Sequence, residues 1–106
     1  MPKYLIKVSY TPEGARGIAK EGGTSRRDYI GKLLQNSGGT MESFYFAFGE
    51  DDAFVICDMP DNVTAASIGL TVNSSEAVHL KTVALLTPEE LDQATRKTVA
   101  YRPPGA

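Results

Sequence analysis

Two apolar runs around a short polar turn stand out in the pattern of the chain. Residues 40–48 read Thr-Met-Glu-Ser-Phe-Tyr-Phe-Ala-Phe, then comes Gly49-Glu50-Asp51-Asp52, then Ala-Phe-Val-Ile-Cys-Asp-Met over 53–59. Aromatic and β-branched residues flanking a glycine-bearing polar turn predict a β-hairpin. Its length suits two strands in the middle of a sheet, closed by Pro60-Asp61.

The flanking pattern supplies the other elements. Residues 3–10 alternate, with Tyr4, Ile6, Val8 and Tyr10 on one face and Leu5, Lys7 and Ser9 on the other, as in a strand. Thr11-Pro12-Glu13 then reads as a helix start. Gly14 and Gly17 weaken that helix by about 1 kcal/mol each against alanine, and Gly22-Gly23 breaks it. A second start is expected at Thr24-Ser25, where Asp28 stands three residues after Ser25 in capping-box spacing. Tyr29, Ile30, Leu33 and Leu34 form the apolar stripe of the helix that follows, and Gly38-Gly39 ends it.

Beyond the hairpin, Asp61 can cap a further helix whose buried stripe is expected at Val63, Ala66 and Leu70, with residues 71–76 forming a loop. Residues 77–86 alternate again. Val78, Leu80, Thr82, Ala84 and Leu86 take one face, and Ala77, His79, Lys81, Val83 and Leu85 the other. Thr87-Pro88-Glu89-Glu90 is a complete helix-start signature for a short last helix to about Lys97. The prolines of Tyr101-Arg102-Pro103-Pro104-Gly105 impose an extended tail. We therefore expect one α+β domain over residues 1–98 and an arm over 99–106.

The element order strand, helix, strand, strand, helix, strand leads, with right-handed crossovers, to a ferredoxin-like βαββαβ antiparallel sheet with helices on one face and an extra C-terminal helix. The opposite face has no intramolecular cover. Leu5, Val83 and Leu85 lie on it, so pairing with a second copy is expected to hide them. Lys7, His79 and Lys81 share that face by parity. The lysines either reach to the rim of such an interface, which is the favoured reading, or line a cavity for an anionic or carbonyl-bearing ligand.

Composition narrows the function. With 106 residues and a formal net charge of -2, acids and bases interspersed, no basic block suggests nucleic acid. No apolar run reaches the roughly 18–20 residues of a membrane helix, and the charged N-terminal stretch is no signal peptide. The one cysteine, Cys57, sits in an apolar run and suits a reducing cytoplasm.

Candidate chemistry is sparse. Gly22-Gly23-Thr24-Ser25-Arg26-Arg27 has the makings of an anion site, since glycines, free helix-start N–H groups and two arginines occur together, but it is no Walker loop. His79 is the only histidine, more often a packed side chain than a base or ligand. Glu50, Asp51 and Asp52 are expected to form a solvated turn and not a metal site, because adjacent side chains do not converge. Cys57 reads as a small buried hydrophobe, and Phe44, Phe46 and Phe48 as a core stripe. No zinc spacing, dinucleotide fingerprint or catalytic triad occurs, and no cofactor is called for.

Tyr10-Thr11 with Gly14, Arg26 near a helix start, Gly38-Gly39, Phe44-Tyr45, the Gly49 turn ending in Asp52, Pro60-Asp61 and Val78 through Thr82 form a familiar combination. Across about residues 3–95 the chain resembles the GYD domain family of small bacterial and archaeal proteins. The namesake Gly-x-Tyr-Asp turn appears as Gly49-Glu50-Asp51-Asp52, with Asp51 in place of the tyrosine. The resemblance implies the dimeric α/β-barrel variety of the ferredoxin-like fold and no particular activity. Three functions remain in view. The first is an oligomeric small-molecule-binding protein, with Lys7, His79, Lys81, Tyr45, Arg26 and Arg27 as candidate ligand contacts. The second, by fold analogy alone, is a cofactor-independent or haem-dependent enzyme of oxygenase or isomerase type using His79 with Tyr45 or Asp52. The third is a structural protein whose Pro103-Pro104 arm wraps a neighbour.

Overall fold

The computed structural model describes all residues 1–106. The elements are β1 (Lys3–Tyr10), α1 (Pro12–Glu21), α2 (Gly23–Asn36), β2 (Thr40–Phe46), β3 (Ala53–Asp58), α3 (Asn62–Asn73), β4 (Val78–Leu85) and α4 (Pro88–Thr95). The four strands form one antiparallel sheet in the order β2-β3-β1-β4, an α+β arrangement consistent with the ferredoxin-like fold. Only β3 of the hairpin is central. β2 is an edge strand, because β1 inserts between β3 and β4. No helix is long and apolar enough to cross a membrane.

Strand alternation sets the two faces. Tyr4, Ile6 and Val8 of β1, Ala53, Val55 and Cys57 of β3 and Val78 of β4 are buried on one side. Leu34 of α2, Ala65 of α3 and Met59 complete the core above them. The Tyr4 hydroxyl donates to the Asn62 side chain, so its one polar atom is satisfied. Along β1 and β3, buried residues alternate with half-buried ones on the opposite face.

Helix starts follow the capping rules in three cases of four. The Thr11 hydroxyl accepts from the Gly14 N–H at 3.2 Å, the Asp61 carboxylate from Thr64 at 2.7 Å, and Thr87 with Glu90 forms a reciprocal capping box. The exception is α2. Gly22, at φ 88°, ends α1 and turns the chain so that α2 begins at once, with no side-chain cap. Ser25 lies inside the helix, and the expected capping box with Asp28 does not form.

Other expectations also shift. α3 buries Ala65 and packs Ile68 and Val72 against the core, whereas Val63 and Leu70 are 79% and 74% exposed. This helix is apolar on nearly every side, so two stripes of equal spacing compete. The Asp61 cap fixes where the helix starts, and the second stripe then faces inward. The helix also runs on through residues 71–73, which were expected as loop. Phe44 packs on the core, but Phe46 and Phe48 are exposed. The chain leaves β2 after Phe46, and the strand parity that would bury Phe48 is lost. Tyr29 is exposed as well, on the outer side of α2.

Both sheet edges carry a device. On β2 the register slips between Met41 and Ser43, leaving Glu42 as an extra residue. On β4 the Asn73 side chain at the end of α3 accepts from the Leu80 N–H at 2.6 Å and donates to the Leu80 carbonyl at 3.3 Å.

The α1–β4 junction depends on close approach. The Ala77 carbonyl accepts from both the Thr11 N–H at 3.1 Å and the Thr11 hydroxyl at 3.2 Å. A Cβ at Gly14 would lie 2.1 Å from that oxygen. Gly14→Ala should therefore destabilise by about 1–3 kcal/mol as overpacking, despite the helix-propensity gain of about 1 kcal/mol. Urea denaturation measures it, and an unchanged or raised midpoint would contradict the junction.

Candidate functional site

Strand register places the polar residues of the helix-free face in rows across the sheet. Tyr45, Phe54, Lys7 and Lys81 form one row. Ser43, Ile56, Leu5 and Val83 form the next, and Asp58, Lys3 and Leu85 another. Ser9 stands opposite His79. The face is thus an apolar band, including Phe54 and Ile56, with charge on either side of it.

Each charged group on β1 is held differently. Lys3 donates to Glu42 at 3.0 Å and pairs with Asp58 at 3.2 Å, linking β1 to β3 and to the β2 bulge. Its pKa is raised, first by the hydrogen bond to Glu42 and then by that to Asp58. Lys7 faces Lys81 directly, a repulsive cross-strand pairing. It has Asp51 at 3.7 Å, and Asp51 also accepts from the Ser9 hydroxyl at 3.4 Å. The Asp51 side chain is only 13% exposed. Asp52 goes elsewhere, accepting from the Tyr10 backbone N–H at 2.8 Å, while its own N–H donates to the Val8 carbonyl at 2.7 Å. The acidic turn expected to be solvated is therefore clamped over the end of β1 by two of its three acids. No group of three His, Cys, Asp or Glu side chains is placed to hold a metal ion.

On the other side of the sheet a cavity of about 30 Å³ lies between Val8 and Val55 on the sheet, Ile30 and Leu33 on α2, and Ile68 and Val72 on α3. Its remaining lining is apolar apart from Tyr10 and Arg26, and Arg26 is the one charged side chain in its wall. The guanidinium carbon of Arg26 lies 5.3 Å from the centre of the Tyr29 ring. None of the ion pairs in the chain involves Arg26. Burial pushes the Tyr10 phenol up in pKa, and the adjacent Arg26 pulls the other way.

The six residues singled out from the sequence therefore fall into two groups. Lys7, Lys81, His79 and Tyr45 share the open face, with Tyr45 and Lys81 at opposite ends of one row. Arg26 and Arg27 belong to α2 behind the sheet and have different partners, Arg26 the Tyr29 ring and Arg27 the Asp28 carboxylate. Arg27 is exposed and pairs with Asp28 at 3.1 Å. The cavity itself was not legible beforehand, although one signal for it exists. Arg26, Ile30 and Leu33 are spaced i, i+4, i+7, so the arginine continues the inward stripe of α2 by one turn.

A profile of the GYD domain matches residues 4–95. The chain belongs to the GYD domain family. No curated protein and no solved structure matches it. In this GYD domain the aspartate of the namesake turn, Asp52, ties the hairpin turn to the β1 backbone, and Asp51 at the tyrosine position restrains Lys7 and Ser9.

Cys57, near the end of β3, is free and buried. Burial pushes its thiol up from the ordinary 9.0 to about 11, with Asp58 adding to the effect. A thiol held neutral is a poor nucleophile. Cys57, Tyr10 and Lys3 all have raised pKa values in the fold. Each contributes stability that is complete below its unfolded value and lost as pH rises through its folded one. For Cys57 that window runs from 9.0 to about 11, corresponding to roughly 2–3 kcal/mol. The urea midpoint of the GYD domain should fall across this window, and less steeply in Cys57→Ala. A midpoint that stays level from pH 9 to about 11 would contradict the assignment.

Proposed function

We propose that this GYD domain binds a small anionic or carbonyl-bearing molecule and works as a homo-oligomer, in a reducing cytoplasm that suits the free thiol of Cys57. The observation that carries the reading is Arg26, half-buried in the wall of an apolar cavity with no carboxylate partner. A guanidinium donates in a planar fork suited to a carboxylate. The apolar walls suit a short hydrocarbon tail, and the Tyr10 hydroxyl beside Arg26 supplies a second donor. The cavity of about 30 Å³ is far smaller than the roughly 150 Å³ that accommodates a benzene ring, so the tail it accepts without movement of α2 and α3 is a few atoms long.

The open face supports the oligomeric half of the reading. Leu5, Phe54, Ile56, Val83 and Leu85 are uncovered within one chain, and apolar patches of this kind mark association sites. In a face-to-face pair Lys7 and Lys81 reach to the rim, with Lys7 already neutralised by Asp51. His79 then lies at the β4 edge near Lys81 and Tyr45 at the opposite β2 edge, and Arg27 stays in solvent with Asp28.

Short-chain carboxylates titrated into isotope-labelled protein test the ligand half. Saturable shifts are expected at the methyl groups of Ile68 and Val72, and Arg26→Gln should weaken binding by about 10- to 100-fold, as loss of a charge-assisted hydrogen bond does. Absence of saturable shifts with any carboxylate from acetate to octanoate would overturn the cavity assignment.

A further inference from the structure

We propose that the C-terminal arm, residues 86–106, is exchanged between two copies of the chain, each arm lying against the other copy beside its bare sheet face. This rests on the homo-oligomeric reading above and specifies what each copy contributes. Three observations carry it. Every residue from Pro88 to Ala106 is exposed, and no residue of α4 belongs to the core or packs against it. Yet α4 is a formed helix of 8 residues with a complete capping box. Helices shorter than about 12–15 residues are marginal in water without tertiary packing, so a helix this short needs a surface to lie on. Its own chain supplies none. The arm also presents Leu86, Leu91, Val99 and Tyr101 to solvent.

The second observation is the size of the molecule. A compact monomer of this mass exposes about 5,800 Å², whereas this chain exposes 7513 Å². The excess of about 1,700 Å² is roughly twice the 800 Å² or so that each partner buries in a standard interface. The radius of gyration is 16.9 Å, against about 13 Å for a compact chain of this length. The surplus has the scale of an intimate homodimer contact and not of a casual one.

The third observation is complementarity. α4 carries Glu89, Glu90 and Asp92 and no basic residue. On the sheet face Lys81 has no acidic partner in its own chain. Both the unsupported arm and the uncovered face belong to one chain, so a single twofold operation buries both in both copies. An unrelated partner would have to match two separate surfaces.

The test uses the full chain. The unmodified protein is expected to sediment as a dimer at about 10 µM, where interfaces of ordinary affinity are occupied. Leu91→Asp combined with Tyr101→Asp should raise its dissociation constant at least about tenfold while leaving the near-ultraviolet spectrum of the core unchanged. Val83→Asp on the sheet face should weaken it likewise. A dimer that yields to Val83→Asp and not to the arm variant overturns arm exchange and leaves the homo-oligomeric reading standing. A monomer throughout overturns both. A nitroxide at Gln93→Cys, where Cys57 is buried and unreactive, gives a direct readout when labelled chain is mixed with isotope-labelled, nitroxide-free chain. Broadening of β1 and β4 amides in the nitroxide-free copy is expected, and none would refute the proposal.

Discussion

A sheet covered on one side only is the constraint on which the other features of this domain depend. β1 lies between β3 and β4 and alternates strictly, so Tyr4, Ile6 and Val8 enter the core while Lys3, Leu5, Lys7 and Ser9 face away. The helices satisfy the first set. The second set has only itself, and the chain manages it with charge. Lys3 is held by Glu42 and Asp58, and Lys7 by Asp51, leaving a central band of Leu5, Ile56 and Val83 framed by ion pairs. Exposed pairs of this kind add little stability, but they fix the orientation of long side chains and so define the outline of the apolar band.

The fold was legible where periodicity was unambiguous. Residues 3–10 and 78–82 alternate, so both faces of β1 and β4 could be assigned from the sequence. Thr11, Asp61 and Thr87 announce their helices by chemistry that acts within four residues. α3 resisted because its apolar residues are spread over nearly every side and the period carries no phase. The phase came from how the helix begun at Asp61 lies against the sheet, with Ala65, Ile68 and Val72 inward, and that is a tertiary fact. Ser25 and Asp28 misled because spacing alone cannot say where a helix starts when a glycine with positive φ, Gly22, can start it three residues earlier.

The candidate site was legible in part. Parity alone placed Lys7, His79 and Lys81 on one face, and the register agrees. Sequence could not separate Arg26 from Arg27, since adjacent residues on a helix point about 100° apart and which one turns inward depends on how the helix is rolled against the sheet. Nor could it show that Asp51 and Asp52 diverge, one to a lysine side chain and one to a backbone amide. Those assignments require the turn to fold back over β1, a contact between segments some forty residues apart.

The clasp of Asn73 on Leu80 has a consequence for how copies of this chain meet. An open strand edge invites another strand to continue the ladder, and repetition of that step produces fibres. Here the Asn73 amide occupies both backbone groups of Leu80 near the start of β4, imitating the strand that would otherwise arrive. At the far edge the extra residue at Glu42 breaks the spacing that an incoming ladder would need. With both ends of the sheet spoiled for templating, stickiness is confined to surfaces that a finite assembly can exhaust. The domain can therefore carry a large apolar area without that area becoming a seed for unlimited growth.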